Sequence, residues 1–470
     1  MLASLFTTLA LAAPPAPAPP PAHVIAARDR VDWEAAGAEA VEVLAGYLAV
    51  DTRNPPGHEE RGAAYLAAIL DAEGIGYELL TVAPGRASLV ARVSGSGVAP
   101  PLCLLSHIDV AGVEPENWKV DPFSGHLDPD GMLWGRGALD MKGMGALELM
   151  TLVWLKRLDV PLERDVVLVA VADEEIDNLG MLQLVEEHWD RVGCSHLINE
   201  GGLGAQDAVF DGQTLHSISV AEKGVLWVRM VASGEAGHGS TPRSGEAPDR
   251  LLEAMEAIAR RKPKPRFDPA LYELLAAAGR HHGGFTGFVM RSRFLVRLLA
   301  KGQLMKNPLT RAAITDTVHL TGMAGGSEPN SVPSQVSATY DCRLLPGTEP
   351  DAVLAELRHL TRKVEGIEFE VLHSVSSNGS PWDDPLYDAI AAYAVEGRPN
   401  AAAGPLLSVG FTDSIYARPL GVHAYGYIPF EVNGEELATM HGRDERVSAE
   451  NVREGLRRLF SIVVDFAGER

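Results

Sequence analysis

Five short stretches of this chain set an imidazole or a carboxylate at the end of an apolar run. They are SHID (Ser106 to Asp109), GRGALDMKG (Gly135 to Gly143), ADEE (Ala172 to Glu175), INEGG (Ile198 to Gly202) and TMHGRDE (Thr439 to Glu445). Side chains of these types hold divalent metals, and a carboxylate left over can move a proton. His107 and Asp109 are two apart, so on a strand both face the same way, and Asp109 can orient the His107 ring. Asp140 follows the small, flexible GRGAL segment; its two oxygens can bridge two cations, and the glycines let the backbone come close. Glu174 and Glu175 follow the run RDVVLVAVA. In extended chain such neighbours point opposite ways, so one can bind metal while the other stays free. Glu200 ends another strand ahead of two glycines, and His441 comes shortly before Ser448, a good N-cap for the last helix. Taken singly, each of these reads more readily as a loop, turn or capping residue. Together they supply enough ligands for two adjacent divalent metals, and two metals, a water and a spare carboxylate make a hydrolase.

The elements that must position these residues are strands and helices in alternation. ARDRVDWEAAGAEAVEVLAGYL predicts a helix from near Arg28 through Tyr47, and RGAAYLAAILDAEG a second. ASLVARVSG, PLCLLSHIDV and RDVVLVAVA predict strands, the last two apolar on both faces. That implies an α/β fold whose mostly parallel sheet is flanked by helices. The pattern changes near Lys223. GVLWVRMVASG, TVHLTGMAG, QVSATYDCRLLP and IEFEVLHSV predict strands, with helices at APDRLLEAMEAIARR and DAVLAELRHLTRKV. This β-α-β-β-α-β order suits a ferredoxin-like α+β module with an antiparallel sheet. The α/β style returns from about Asp384, so the module is expected to be inserted between two halves of the first. Between Arg260 and Thr310 it carries an extra helical stretch, FVMRSRFLVRLLAKGQLMK, basic and amphipathic. That stretch reads as a helix packed on its own domain or at a subunit interface, with a membrane or lipid role as the alternative.

The chain has 470 residues, too many for one ordinary core, with 46% hydrophobic and 22% charged residues. A formal net charge of -22 argues against nucleic acid or an anionic membrane as the general partner. Its three cysteines, Cys103, Cys194 and Cys342, have no CxxC spacing and are read as buried free thiols. The segment MLASLFTTLALAAPPAPAPPPA has an apolar stretch of signal-peptide length and a Pro/Ala run, yet no Lys or Arg before the apolar part. Residues 1–27 are therefore read as a signal peptide and Pro/Ala-rich linker. The protein is expected to be exported, periplasmic or secreted, if that reading holds, and cytoplasmic otherwise. No transmembrane segment is expected.

Taken jointly, the motifs resemble the di-zinc metallopeptidase and deacylase family of acetylornithine deacetylase, succinyl-diaminopimelate desuccinylase, aminoacylase and glutamate carboxypeptidase. The likeness runs from DTRNPPGHEE (Asp51 to Glu60) to the last helix, and includes PENWKVDPFSG and EPNSVPSQVSATYDCRLLPG. NEGG and the enlarged insert are most similar to the carboxypeptidase-S and N-acyl-amino-acid hydrolase branch. The resemblance implies a zinc-exopeptidase-like catalytic domain in two parts, residues 28–222 and 381–470, around an inserted lid and dimerisation domain at 223–380. It implies two Zn2+ per subunit, replaceable by Co2+ or Mn2+. His107, Asp140 and Glu200 would hold one; Asp140, Glu175 and His441 would hold the other. Glu174 would be the general base, Asp109 would support His107, and Asp140-Met141 would be a cis peptide. His238, in GHGSTP, would reach the active site of the partner subunit of a homodimer, and Asn330 and Arg343 would grip the substrate. The substrate would be a small peptide or an N-acyl amino acid. Amide synthesis or hydrolysis with apolar acyl chains is the alternative, and a non-catalytic metal-binding protein of the same fold is the competing class. Retention of Glu174 and of every metal position favours an enzyme.

Overall fold

The computed structural model describes residues 19–282 and 284–469, so the apolar stretch read as a signal peptide lies outside the described residues. Regular structure begins earlier than expected, with a helix at Ala22–Arg28. Val24 and Ala27 are buried, and Arg28 pairs with Glu396 and donates to Ser461 on the C-terminal helix Ala449–Ala467. The helix expected from near Arg28 through Tyr47 starts later, after a break at residues 29–32. This second helix, Trp33–Leu48, starts where the Asp32 side chain accepts from the backbone N–H groups of Glu34 and Ala35.

The large sheet has at its centre four parallel strands in the spatial order Val166–Val171, Leu102–His107, His196–Asn199 and His423–Gly426. Arg86–Val93 and Tyr77–Ala83 extend one side antiparallel; Thr214–Glu222 joins the other and pairs parallel with Ala401–Ser408. The apolar strands are covered on both faces. Leu102, Leu104, Val166 and Leu168 pack in the core with Trp33–Leu48, Lys142–Arg157 and the C-terminal helix. Cys103, Leu105, Val167 and Val169 pack on the opposite side with Met181 and Leu184. All four central strands run the same way, so the loops after His107, Val171 and Asn199 emerge at one end. That is where open α/β sheets hold their ligands.

The second sheet has the order Thr317–Ala324, Gln335–Leu344, Gly224–Ser233, Ile367–Val375 and is antiparallel throughout. Helices Ala247–Ala259 and Pro350–Thr361 bury their apolar faces on one side of it. Its strands alternate buried and part-exposed residues, as expected when only one face is covered. The extra helical stretch behaves differently. Its first helix, Pro269–His281, lies on the large sheet, with Leu274, Ala277 and Ala278 against Leu215 and Ala402. Gly404 leaves no room for a side chain there, since a Cβ would come within 2.9 Å of the Leu274 backbone. Beyond it Phe285, Phe288, Phe294, Leu298, Leu299 and Leu309 are exposed, and no Asp or Glu occurs from Leu274 to Thr315.

The reading of three free thiols is corrected. Cys103 and Cys194 form a disulfide, with their Cα atoms 5.8 Å apart, and only Cys342 is free and buried. The bond was invisible in linear spacing because its partners, 91 positions apart, meet through the pairing of Leu102–His107 with His196–Asn199. Among the described residues no helix is long and apolar enough to cross a membrane.

Candidate metal centre

His107 ends its strand fully enclosed, and its Nδ1 lies 2.9 Å from the main-chain oxygen of Asp109. A carbonyl can only accept, so Nδ1 carries a proton, and in the neutral ring Nε2 keeps the lone pair. That lone pair faces Asp140 Oδ1 at 3.1 Å and Glu200 Oε1 at 3.8 Å. The other oxygen of Asp140 is 2.8 Å from His441 Nε2, which also lies 3.4 Å from Glu175 Oε2. Asp140 thus stands between the two histidines, one oxygen toward each. The Asp140-Met141 peptide is cis. Glu174 clusters with His107 and Glu200, and Glu175 with His107 and Asp140.

The backbone explains how two adjacent glutamates diverge, and it differs from the extended geometry expected. The strand ends at Val171, and residues 174–177 form a turn. The Asp109 carboxylate holds this turn, accepting from the N–H groups of Glu174 and Glu175 at 3.1 Å each. Its oxygen is 3.6 Å from the His107 ring, so Asp109 steadies the histidine through its carbonyl and the glutamates through its carboxylate. Glu200 follows its strand directly, and the neighbouring Gly426 lets a second strand pass against the Glu200 carbonyl where any Cβ would collide.

These groups fit divalent cations. Imidazole lone pairs directed at carboxylate oxygens repel unless a proton or a metal lies between. Glu175 Oε1 is buried with no hydrogen-bond partner. Burial, then the charge of Asp140, pushes the Glu200 carboxyl well above its ordinary range. Burial does the same to Glu174 and raises Asp413 to about 7. His441 is raised to about 10 by its contacts with Asp140 and then Glu175. For His107 burial pulls the other way, and the bonds to Asp109 and Asp140 outweigh it. So much uncompensated acid in one enclosed place is what cation ligands look like without their cation.

Several supporting residues were not singled out from the sequence. Glu445 is fully buried; it accepts from the N–H groups of Gly137, Leu139 and Asp140 and from Arg136 Nη1 at 2.6 Å. It fixes the loop carrying Asp140 to the segment carrying His441. Asn54 donates to Asp109 and Asp173, and Arg86 pairs with Asp173 and Glu59. Asp413 accepts from Asn178, whose amide also donates to the Glu174 carbonyl. The motifs GRDE and DTRN contain two of these residues, but nothing in their spacing distinguishes a supporting carboxylate or amide from a surface one.

The remaining expected residues lie apart from this cluster. His238 is exposed on a two-stranded ribbon, His238 opposite Ser331, with its Nδ1 2.7 Å from Ser240 Oγ. Asn330 sits beside it, accepting from the Gly239 N–H at 2.8 Å. Neither contacts the metal-ligand cluster within this chain. Arg343 ion-pairs with Asp341 and lies over the Phe411 ring, which is two residues from Asp413.

The profile of peptidase family M20/M25/M40 matches residues 103–465. Human N-fatty-acyl-amino acid synthase/hydrolase PM20D1 is 26% identical over 373 residues, 77% of this chain and 73% of its own. Aminoacylase-1 of Sus scrofa is 26% identical over 414 residues, covering 87% and 90%. Among solved structures, the M20 family metallo-carboxypeptidase Sso-CP2 from Sulfolobus solfataricus superimposes with a TM-score of 0.71 at 18% identity. It covers 90% of this chain and 98% of its own. Human carnosine dipeptidase 1 gives 0.66 at 16%, covering 95% and 99%. At such identities the structural likeness speaks for the fold alone, whereas the family match spans most of the chain and includes all the clustered carboxylates and both histidines. The chain belongs to peptidase family M20/M25/M40 and is a metal-dependent hydrolase of amide bonds.

Proposed function

We propose that the protein is a di-zinc hydrolase that cleaves the amide bond of an N-acyl amino acid or a dipeptide. The observation that carries this reading is the position of Asp140 between His107 and His441, with Glu200 and Glu175 flanking. His107, Asp140 and Glu200 would hold one ion, and Asp140, Glu175 and His441 the other. Bound metals supply Lewis acidity, polarising the scissile carbonyl and making water nucleophilic near neutral pH. Glu174 is the carboxylate not needed as a ligand. Its raised pKa suits a group that takes a proton from the attacking water and returns it to the leaving amine. Asp109 keeps Glu174 in reach by holding its N–H.

Arg343, with Asn330, would bind the substrate carboxylate, a task suited to a guanidinium fork. His238 is exposed on its ribbon, bonded to Ser240, which suits a role in the active site of a partner subunit. We read residues 223–380 as the lid and dimerisation domain of a homodimer, between catalytic parts at 28–222 and 381–470. The Cys103–Cys194 disulfide supports export, since such bonds persist in oxidising compartments. A preference for apolar acyl groups is favoured by the exposed Phe and Leu side chains of the inserted stretch.

The test is a panel of dipeptides and N-acyl amino acids offered to zinc-loaded protein, with products read by mass spectrometry. Cleavage should stop with a chelator. Glu174→Gln should keep its metal and lose at least ~10²-fold in kcat. Near-normal turnover in that variant would refute the assignment.

A further inference from the structure

At the opposite end of the large sheet lies a second constellation of metal-ligand types that the hydrolytic reading does not use. His196 and His423 begin two adjacent parallel strands and are register partners. Between them stands Asp384, at the start of the helix Pro385–Val395. His196 Nε2 is 3.2 Å and His423 Nδ1 2.7 Å from one and the same oxygen, Asp384 Oδ2. The three ligand atoms all lie within 4.8 Å of one another. The strand from His196 leads to Glu200 at its far end, so the two clusters are separated by roughly 13 Å of extended chain.

Each member is held in place by a different partner. His196 Nδ1 is 2.8 Å from Ser195 Oγ, an outer contact that turns Nε2 inward, as hydroxyls and carbonyls do behind metal-bound imidazoles. The Phe466 ring packs on the same imidazole, 4.7 Å between centroids. Asp384 spends its other oxygen on the Leu386 N–H, capping the helix, which leaves Oδ2 for the histidines. Asp384 is 5% exposed and His196 18%, whereas His423 is 40% exposed, so the trio is enclosed from below and open to solvent on one side. Asp383 and Asp388, both exposed on the same turn and helix, add negative charge nearby.

We propose that His196, Asp384 and His423 form a further metal site, of the zinc class, with solvent completing the coordination. Two imidazole nitrogens and one carboxylate oxygen are a ligand set that zinc and its neighbours in the first transition row accept. Directing two imidazole nitrogens at one oxygen requires a proton on each of them, or one cation in place of both. With one N–H per ring the first arrangement is met by two neutral imidazoles, and an ion would take its place by shifting each ring's proton to its outer nitrogen, toward Ser195 Oγ in His196 and toward solvent in His423. Such an ion ties the starts of two central strands to the helix Pro385–Val395, far from the reacting bond, so it stabilises the fold and takes no part in hydrolysis.

The experiment counts zinc per chain by mass spectrometry after metal stripping, reloading with zinc chloride and desalting. His423→Gln keeps a donor for Asp384 but is a poor ligand, and the side chain is half exposed, so the variant should fold. It should bind one zinc fewer than the unaltered protein, with hydrolysis changed less than about twofold. His196→Gln should lose the same single equivalent. Independently, a His107→Gln/His441→Gln variant, stripped of the histidines of the hydrolytic cluster, should still retain one zinc. Equal zinc content in the unaltered protein and both His196 and His423 variants overturns the proposal. So does a His107→Gln/His441→Gln protein that binds none, whatever the first two variants do. Because the readout is metal content, its failure would leave the hydrolase reading standing.

Discussion

Replacing Glu445 by glutamine changes one atom in a place where the atom decides two things. The carboxylate is fully buried, and its Oε1 accepts from Leu139 N–H and Asp140 N–H, while Oε2 accepts from Gly137 N–H and Arg136 Nη1. A glutamine oxygen can replace Oε1. Its amide nitrogen then points at two donors and can satisfy neither. Arg136, with 3% of its side chain exposed, is left as a buried charge without its counter-charge. Breaking a buried pair from one side costs about 3–5 kcal/mol. Because the same contacts hold Asp140 between His107 and His441, zinc affinity should also fall by about 10–100-fold, as when outer partners of metal ligands are removed. Denaturant melts of the metal-free proteins read the first effect; zinc titration against a competing chelator, under conditions where both proteins are folded, reads the second. A stability loss below ~1 kcal/mol would refute the buried-pair argument. Full stability loss with unchanged zinc affinity would show that the 135–140 loop holds Asp140 unaided.

Three further outcomes are expected. In metal-stripped protein His441 has its pKa raised to about 10, above the ordinary value of 6.5, so its stabilising contribution is complete below about 6.5 and disappears as pH rises through about 10. The stability gap between unaltered protein and His441→Gln should therefore narrow from pH 6 to pH 10, and a widening gap would contradict the assignment. Cys103→Ser should cost about 2–4 kcal/mol in melts under oxidising conditions and nothing under strong reductant; equal melts in both conditions would mean that the bond does not form. Arg343→Ala should raise KM about tenfold or more for substrates with a free carboxylate and leave their amidated counterparts nearly unaffected, which initial-rate kinetics on matched pairs would check.

The fold was legible where burial leaves a periodic trace. PLCLLSHIDV and RDVVLVAVA carry apolar residues on both faces because both faces of their strands are covered, and GVLWVRMVASG alternates because only one is. The candidate ligands stand out because they end those same runs: His107 closes its strand, and Glu200 follows its own. What escaped depends on contacts between distant positions. Glu445 looks like any acid in GRDE until Arg136 is brought to it, 309 positions away. Asn54 becomes significant only beside Asp109 and Asp173. The Cys103–Cys194 bond requires two strands to be neighbours, and the early helix at Ala22 requires the C-terminal helix to receive Val24. Glu174 and Glu175 were expected to diverge by strand alternation. They diverge in a turn instead, because the Asp109 carboxylate ends the extended chain first.

The lock between Arg136 and Glu445 also sets a clock. A chain made at about 5–20 residues per second has its Asp140 loop finished roughly 15–60 s before Glu445 appears. Throughout that interval His107 and Asp140 are present, joined within its first part by Glu174, Glu175 and Glu200, without His441 to share Asp140 and without the carboxylate that fixes its loop. On the proposed ligand set, the nascent protein competes poorly for metal and is inert as a hydrolase until its last thirty or so residues have folded back. Loss of that tail, by a premature stop or a single proteolytic cut, removes the activity without touching most of the residues that carry it.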